Sequence, residues 1–232
     1  MPAMRLDKFL CHATGLTRSQ AQKVIRRREV RVDDVEVRDP SLAVSDEMEV
    51  EWQGRTIRLS GPRYIMLNKP FGVVSATLDE QHTTVIDLLD EANPKGLHIA
   101  GRLDIDTTGL VLISDDGEWT HRITSPRHKC DKAYLVTLAE PLDEALGERF
   151  AAGVMLKGEK EKTKPARLEI LSPTEARITI SEGKYHQVKR MFAAVGNHVV
   201  ALHREAIGAL QLDETLAPGE WRPLSEEERE MF

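Results

Sequence analysis

At 232 residues, 41% hydrophobic and 30% charged, the chain is long enough for one large domain or two unequal ones, and apolar enough to exclude wholesale disorder. No apolar run approaches the ~20 residues of a membrane span, the N-terminus has too short an apolar stretch for a secretory signal, and Cys11 and Cys130 make neither a disulfide framework nor a close-spaced zinc pair, so a cytoplasmic setting is expected. Net charge is −6, against bulk binding of nucleic acid, yet residues 1–32 hold eight basic and two acidic side chains; that local +6 leaves −12 on the remainder and marks a candidate polyanion-binding patch.

Leu6–Ala13 reads as a helix with Leu6, Phe9 and Leu10 on one face, broken at Gly15. Thr17-Arg-Ser-Gln20 is a capping box. The helix it opens, Arg18 to about Arg28, turns Ala21, Val24 and Ile25 inward and Lys23, Arg26, Arg27 and Arg28 outward. Val30–Val37 alternates around an Asp33-Asp34 turn, a hairpin signal, and Met48–Trp52 supplies a third strand. The polar stretch Gln53–Pro62 reads as a linker, which divides the chain into residues 4–61 and 62–232.

Strand patterns dominate the second part. Tyr64–Leu67 and Val73–Ser75 flank an Asn68-Lys-Pro-Phe-Gly72 turn, followed by Gly109–Ser114, Ala133–Leu138 and a hairpin of Ala166–Leu171 with Ala176–Ser181. Helical patterns cover Gly117–Thr124, Asp143–Ala152 and Tyr185–Val195, the last with Tyr185, Val188, Met191, Phe192 and Val195 as its apolar stripe and Gly196 as its stop. Ser225-Glu-Glu-Glu228 is a second capping box, opening an acidic terminal helix. Strands outnumber helices without regular alternation, so the expected class is α+β with an antiparallel or mixed sheet.

Three stretches are candidates for chemistry. His98–Leu110 places Arg102, Asp104, Asp106, Thr107 and Thr108 in a loop between strand-like runs, either holding a carboxylate in fixed geometry or closing a local Asx-type turn. A Mg²⁺ site on Asp104 and Asp106 lacks a third carboxylate at a supporting spacing. Ser181–Phe192 presents His186, Lys189 and Arg190, a basic face or a counter-charge for a buried carboxylate. His186, His198 and His203 are spaced too loosely for a metal triad and read as ordinary hydrogen-bonded histidines. The cluster Arg18, Lys23, Arg26, Arg27 and Arg28 fits phosphate-backbone contact. No glycine-rich nucleotide loop occurs, so ATP and NAD chemistry have no support.

Arg5-Leu-Asp-Lys-Phe-Leu, the Thr17–Arg28 helix and the Val30–Val37 hairpin together resemble the S4 RNA-binding module. Asn68-Lys-Pro-Phe-Gly72, Gly101-Arg-Leu-Asp-Ile-Asp-Thr-Thr-Gly-Leu110, Lys132-Ala-Tyr134 and Gly183-Lys-Tyr-His-Gln-Val-Lys-Arg-Met-Phe192 resemble, in order, the motifs of the RsuA branch of pseudouridine synthases. The resemblance implies residues 4–61 as an RNA-binding module with its linker, and 62–232 as a catalytic domain built on a mixed, mainly antiparallel sheet flanked by helices. It implies isomerisation of a uridine in small-subunit (16S) rRNA or a small-subunit assembly intermediate, by a cytoplasmic monomer without cofactor or metal. Asp104 is then the catalytic aspartate, Tyr134 packs against the target uracil, and Lys189, or Arg190 beside it, pairs with Asp104. Arg102 fills the gap left by a flipped uridine, and Lys69 and Arg127 contact phosphate. The alternatives are a sister enzyme acting on large-subunit rRNA and a non-catalytic S4-type RNA-binding assembly factor.

Overall fold

The computed structural model describes residues 4–45, 48–57, 61–89, 96–125 and 130–232. The chain divides into two compact units, with the division between Pro62 and Arg63.

In the first unit, strand β1 (Met4–Arg5) leads into helices α1 (Leu6–Thr14) and α2 (Arg18–Arg26), followed by β2 (Val30–Val32), β3 (Val35–Glu36), β4 (Ala43–Val44), β5 (Val50–Trp52) and β6 (Arg55–Ile57). Helix α1 stops at Gly15, whose φ of 73° closes the left-handed cap that a side chain would strain. The capping box of α2 forms as its sequence predicts, with Thr17 and Gln20 bonding each other's backbone amides. Four strands pair in the order β3-β2-β5-β6, while β1 pairs β4 separately. Leu6, Phe9 and Leu10 of α1 pack on Ala21 and Ile25 of α2 and on Val30, Val32, Val44 and Val50. Each fully buried Leu, Ile or Val contributes roughly 1.5–3 kcal/mol relative to exposure. The expected linker is partly strand. Gln53 and Gly54 have φ of 56° and 71°, the conformation of a tight hairpin turn, so Arg55–Ile57 folds back on β5.

The second unit contains β7 (Tyr64–Lys69), β8 (His98–Ala100), β9 (Thr108–Ser114), α3 (Gly117–Thr124), β10 (Lys132–Leu138), α4 (Leu146–Ala151), β11 (Arg167–Ser172), β12 (Glu175–Ile180), α5 (Gln187–Ala194), β13 (Val199–Ile207), β14 (Leu210–Gln211), β15 (Trp221–Pro223) and α6 (Glu226–Glu230). One mixed sheet runs β11-β12-β10-β13-β9-β7-β15, with β14 beside β13 and β8 beside β9. Among the described residues, every pairing in this sheet is antiparallel except β13 with β9, which is parallel and joins the two halves of the sheet. The architecture is α+β, as expected.

Both faces of the centre are covered. Leu67, Val111, Ile113, Val136 and Ile178 pack with Phe150 of α4 and Met191 and Phe192 of α5. Met66, Leu110, Leu112 and Ile207 pack on the opposite side with Trp119 and Ile123 of α3. Burial on both faces is why β9 reads as a continuous apolar run rather than an alternation.

Three expected elements differ. Val73–Ser75 is a loop rather than a strand: its backbone pairing is a single parallel bridge, Val74 with Thr84, although Val73 packs into the core and Ser75 is buried. The Asp143–Ala152 helix shortens to Leu146–Ala151. The last apolar-striped helix begins at Gln187, because His186 stands before it at φ 47° in the left-handed region. Strand β13, the longest of those described, was not predicted.

Candidate active site

The Asp104 loop enters β9 at the seam between the sheet's two halves. Gly109 pairs with Arg204 of β13 there, at φ 103°, and a Cβ on it would lie 2.3 Å from the Arg204 carbonyl oxygen. Only glycine permits that close approach. Two buried cations grip the loop through its backbone. Lys69, at the end of β7 and 0% exposed, donates from Nζ to the carbonyls of Thr107 (2.7 Å), Pro70 (3.0 Å) and Ile105 (3.4 Å). Arg204 donates from Nε to Leu110 O (2.8 Å) and from Nη2 to Gly101 O (2.7 Å). Gly72 N to Ile105 O, Thr107 N to Asp104 O and Leu103 N to Ser75 Oγ add further ties. The loop carrying the carboxylates is thereby fixed before any ligand arrives.

Helix α5 faces this loop. Lys189 Nζ lies 3.3 Å from Asp104 Oδ2 and also bonds Asp106 Oδ1, while His186 Nε2 is 3.4 Å from Asp104 Oδ1. Asp104 therefore turns toward α5 rather than into a local Asx turn. One lysine shared between two carboxylates leaves the group net negative when the imidazole is neutral. Burial pushes the Asp106 carboxyl up, but the Lys189 hydrogen bond and charge outweigh it and the net shift is downward. The two carboxylates in turn act on Lys69: burial pulls its ammonium down to about 8, and Asp106 and Asp104 limit the fall.

Asp104 lines a small open cleft with Arg102, Tyr134, His186, Lys189 and Leu202, and the buried Thr107 hydroxyl beside it has no hydrogen-bond partner among the described residues. Tyr134 of β10 is 8% exposed, and the Arg204 guanidinium lies 6.0 Å from its ring centroid. Arg102 is exposed at the rim. The arrangement offers a carboxylate with adjacent positive charge and an aromatic wall, suited to nucleophilic or general-base work on a planar ligand. Among the described residues no group of three His, Cys, Asp or Glu side chains gathers as it would around a metal ion.

The remaining expected residues are placed as follows. Arg190 is engaged elsewhere, donating to Glu159 Oε1, Tyr185 O and Lys157 O, so Lys189 alone of the two reaches Asp104. Lys69 is corrected from a phosphate contact to an internal one, because its ammonium is enclosed by carbonyls. Arg127 lies outside the described residues. In the first unit Lys23, Arg26, Arg27 and Arg28 are exposed; Arg27 and Arg28 make loose pairs with Glu29 and Glu36 at 3.9 and 3.8 Å. Arg18 is exposed too, but its Nε leans on the buried Asp7 at 3.4 Å. His203 is an ordinary hydrogen-bonded histidine, its Nδ1 2.8 Å from Thr108 Oγ1.

Three placements near the site were not anticipated, although His186 itself was among the candidate basic residues. Arg204 sits in the unpredicted strand. His186 meets Asp104 only because of its left-handed backbone. Tyr185, expected in the apolar stripe, is instead 77% exposed. The one available signal was the density of polar residues in Ser181–Arg190, unusual for a helix start.

This geometry can be set against known proteins. The RNA pseudouridylate synthase family model matches residues 63–194, more than half of the chain, and the S4 domain model matches residues 4–50. The chain belongs to the RNA pseudouridylate synthase family, whose members are isomerases, and carries an S4 domain ahead of the synthase region. It is 57% identical over 225 residues to ribosomal small subunit pseudouridine synthase A of Vibrio cholerae, covering 97% of each chain. It is 58% identical over 226 residues to the Escherichia coli K12 protein of the same name, covering 97% of this chain and 98% of that one. A crystal structure of a pseudouridylate synthase matches with a TM-score of 0.72 at 51% identity, over 98% of this chain and 99% of that chain.

Proposed function

We propose that this chain converts one uridine of small-subunit (16S) rRNA, free or in an assembling particle, to pseudouridine, with Asp104 as the reacting carboxylate. The observation that carries the reading is Asp104 at the cleft wall, 3.3 Å from Lys189 Nζ, on a loop whose carbonyls two buried cations hold. The kinship to small-subunit synthases supports the choice of RNA.

The reaction breaks the C1′–N1 bond and forms C1′–C5; N1 gains a proton and C5 loses one. Nothing is oxidised and no group leaves, so the chemistry calls for a carboxylate and proton movement rather than a cofactor. Asp104 attacks the sugar or the base, or takes the 2′ proton, and each route requires it ionised. Lys189 Nζ, 3.3 Å from Asp104 Oδ2, holds that carboxylate at the cleft wall. A stacked uridine cannot reach a carboxylate at the cleft wall, so the nucleotide is flipped outward and reads against the Tyr134 ring, while Arg102 at the rim braces the gap. Residues 4–61 position the RNA through phosphate contacts of Arg18, Lys23, Arg26, Arg27 and Arg28, and residues 62–232 perform the chemistry in the cytoplasm.

The test is pseudouridine mapping of total rRNA from cells with and without the protein. The expected result is one small-subunit pseudouridine lost in its absence. An unchanged map, or a loss in large-subunit rRNA, contradicts the reading.

A further inference from the structure

Tyr185 is the most exposed aromatic residue among those described, at 77%. Its ring lies parallel to the His186 imidazole, with centroids 3.8 Å apart and planes 19° from parallel. The same imidazole places Nε2 at 3.4 Å from Asp104 Oδ1. A stack of two rings therefore starts at the reacting carboxylate and ends in an open aromatic face.

The stack depends on a strained backbone. His186 is non-glycine at φ 47°, a conformation costing of order 1–3 kcal/mol that persists only where surrounding structure enforces it. Enforcement is visible: Gln187 N bonds Lys184 O, Arg190 N bonds His186 O, and Arg190 Nη1 bonds Tyr185 O at 3.0 Å. A helix begun one turn earlier would have put Tyr185 on the buried stripe with Val188 and Phe192. The observed geometry gives up that burial and presents the ring to solvent.

We propose that the free face of Tyr185 stacks on an unpaired base next to the target uridine, so that the bound strand passes over the Tyr185–His186 stack into the cleft. The inference rests on the reading of the chain as a synthase acting on RNA. Flipping a uridine out strips its neighbours of a stacking partner, and an aromatic side chain replaces it regardless of base identity. Proximity selects an adjacent nucleotide, since one imidazole separates the ring from Asp104. Charge selects stacking over ion pairing on this side: Lys184 and Arg190 are both paired with Glu159, whereas Arg102, exposed at the cleft rim, has no ion pair among the described residues and is available to phosphate.

The test compares wild type, Tyr185→Phe and Tyr185→Leu on a protein-free small-subunit rRNA transcript. Tyr185→Phe should keep kcat/KM within about twofold, because the ring suffices. Tyr185→Leu should lose roughly 5- to 150-fold, mostly through KM, the range for one base–aromatic stack. In parallel, 2-aminopurine is placed at each nucleotide flanking the mapped uridine. Wild type and Tyr185→Phe should quench it at one flank, and Tyr185→Leu should not. Tyr185→Leu matching wild type in both readouts overturns the proposal. So does a loss seen only on ribosomal particles when wild type also modifies the free RNA, which would place the ring against protein. Where wild type forms no pseudouridine in this RNA, the same comparison is made on an assembling small-subunit particle; wild type forming none in either would instead strike the underlying functional reading.

Discussion

Asp7 in the first unit and Lys69 in the second are both 0% exposed, yet the two regions handle a buried charge in opposite ways. Asp7 is surrounded by donors: Arg5 bonds it at 3.0 and 2.9 Å, Gln22 at 3.0 Å, Arg18 at 3.4 Å and the Lys8 amide at 2.9 Å. The Arg5 hydrogen bonds hold its carboxyl well below the usual range, against the opposing effect of burial. Lys69 receives only carbonyls, and burial pulls its ammonium down to about 8. The difference has a functional sense. A direct partner drawn from the neighbouring carboxylates, Asp106 and Asp104, would tie up the group that the proposed chemistry uses. Carbonyl partners let the cation grip the backbone while the carboxylates face the cleft. The first unit uses charge to hold its fold, and the second uses it to hold a loop.

The sharpest way to break this contrast is at the cleft. Lys189→Met leaves Asp104 beside His186 alone, and turnover at saturating RNA should fall by about 100-fold, the scale for losing a positioned charge. A wild-type single-turnover rate would show that Asp104 needs no lysine. Next is Asp7→Asn, which removes the charge but not the shape. Because Arg5 and Arg18 are about half and two-thirds exposed, the expected loss is about 1–3 kcal/mol rather than that of a fully enclosed pair. The depressed Asp7 value also fixes the sign with pH. Its contribution is complete above the unfolded value of about 3.9 and is lost as pH falls below it, so the protection factors of α1 amides, corrected for intrinsic exchange, should fall in acid in wild type, with a flatter profile in Asp7→Asn.

Smaller effects are expected from surface charge and from Lys69 itself. Replacing Arg26, Arg27 and Arg28 with Gln should weaken RNA binding and reduce the salt slope, by roughly 0.7–0.9 log units for each phosphate no longer neutralised, with the chemical step unchanged. Equal slopes would make the cluster an ordinary solvated face. For Lys69 the slope with pH has the same sign as for Asp7 but falls in an alkaline window, and it comes from burial of the ammonium rather than from a partner that favours the charge. Its folded value lies below the unfolded one near 10.4, so between about pH 8 and 10 the unfolded chain holds more protons and this group's contribution to stability rises with pH. The difference in unfolding free energy between wild type and Lys69→Met should move in that direction across the interval.

Local chemistry was legible in the sequence wherever neighbours along the chain decide it. The Thr17–Gln20 box, the Asp33-Asp34 turn and the apolar run of β9 all form as read. What was not legible depends on distant partners. Strand β13 carries His203, Arg204 and Glu205 in its middle, and Arg204 is buried only because carbonyls at Gly101 and Leu110, about a hundred residues away in the chain, accept from it. Lys69 looked like a phosphate ligand for the same reason: two of its three carbonyl partners lie nearly forty residues on. Tyr185 kept its place in a helical pattern until the left-handed turn at His186 took it out. The Asp104–Lys189 pairing followed from family motifs, not from spacing.

The central claim is that Asp104, and not its neighbour two residues on, supplies the reacting carboxylate. Single-turnover pseudouridine formation by Asp104→Asn and Asp106→Asn, with RNA affinity and melting temperature recorded for each, tests it most directly. Asp104→Asn should bind RNA and fold as wild type while forming less than about one per cent of the product at wild-type times, because an amide cannot act as nucleophile or base. Asp106→Asn should retain measurable turnover. Residual activity of Asp104→Asn above a few per cent, or the reverse pattern between the two variants, would contradict the account.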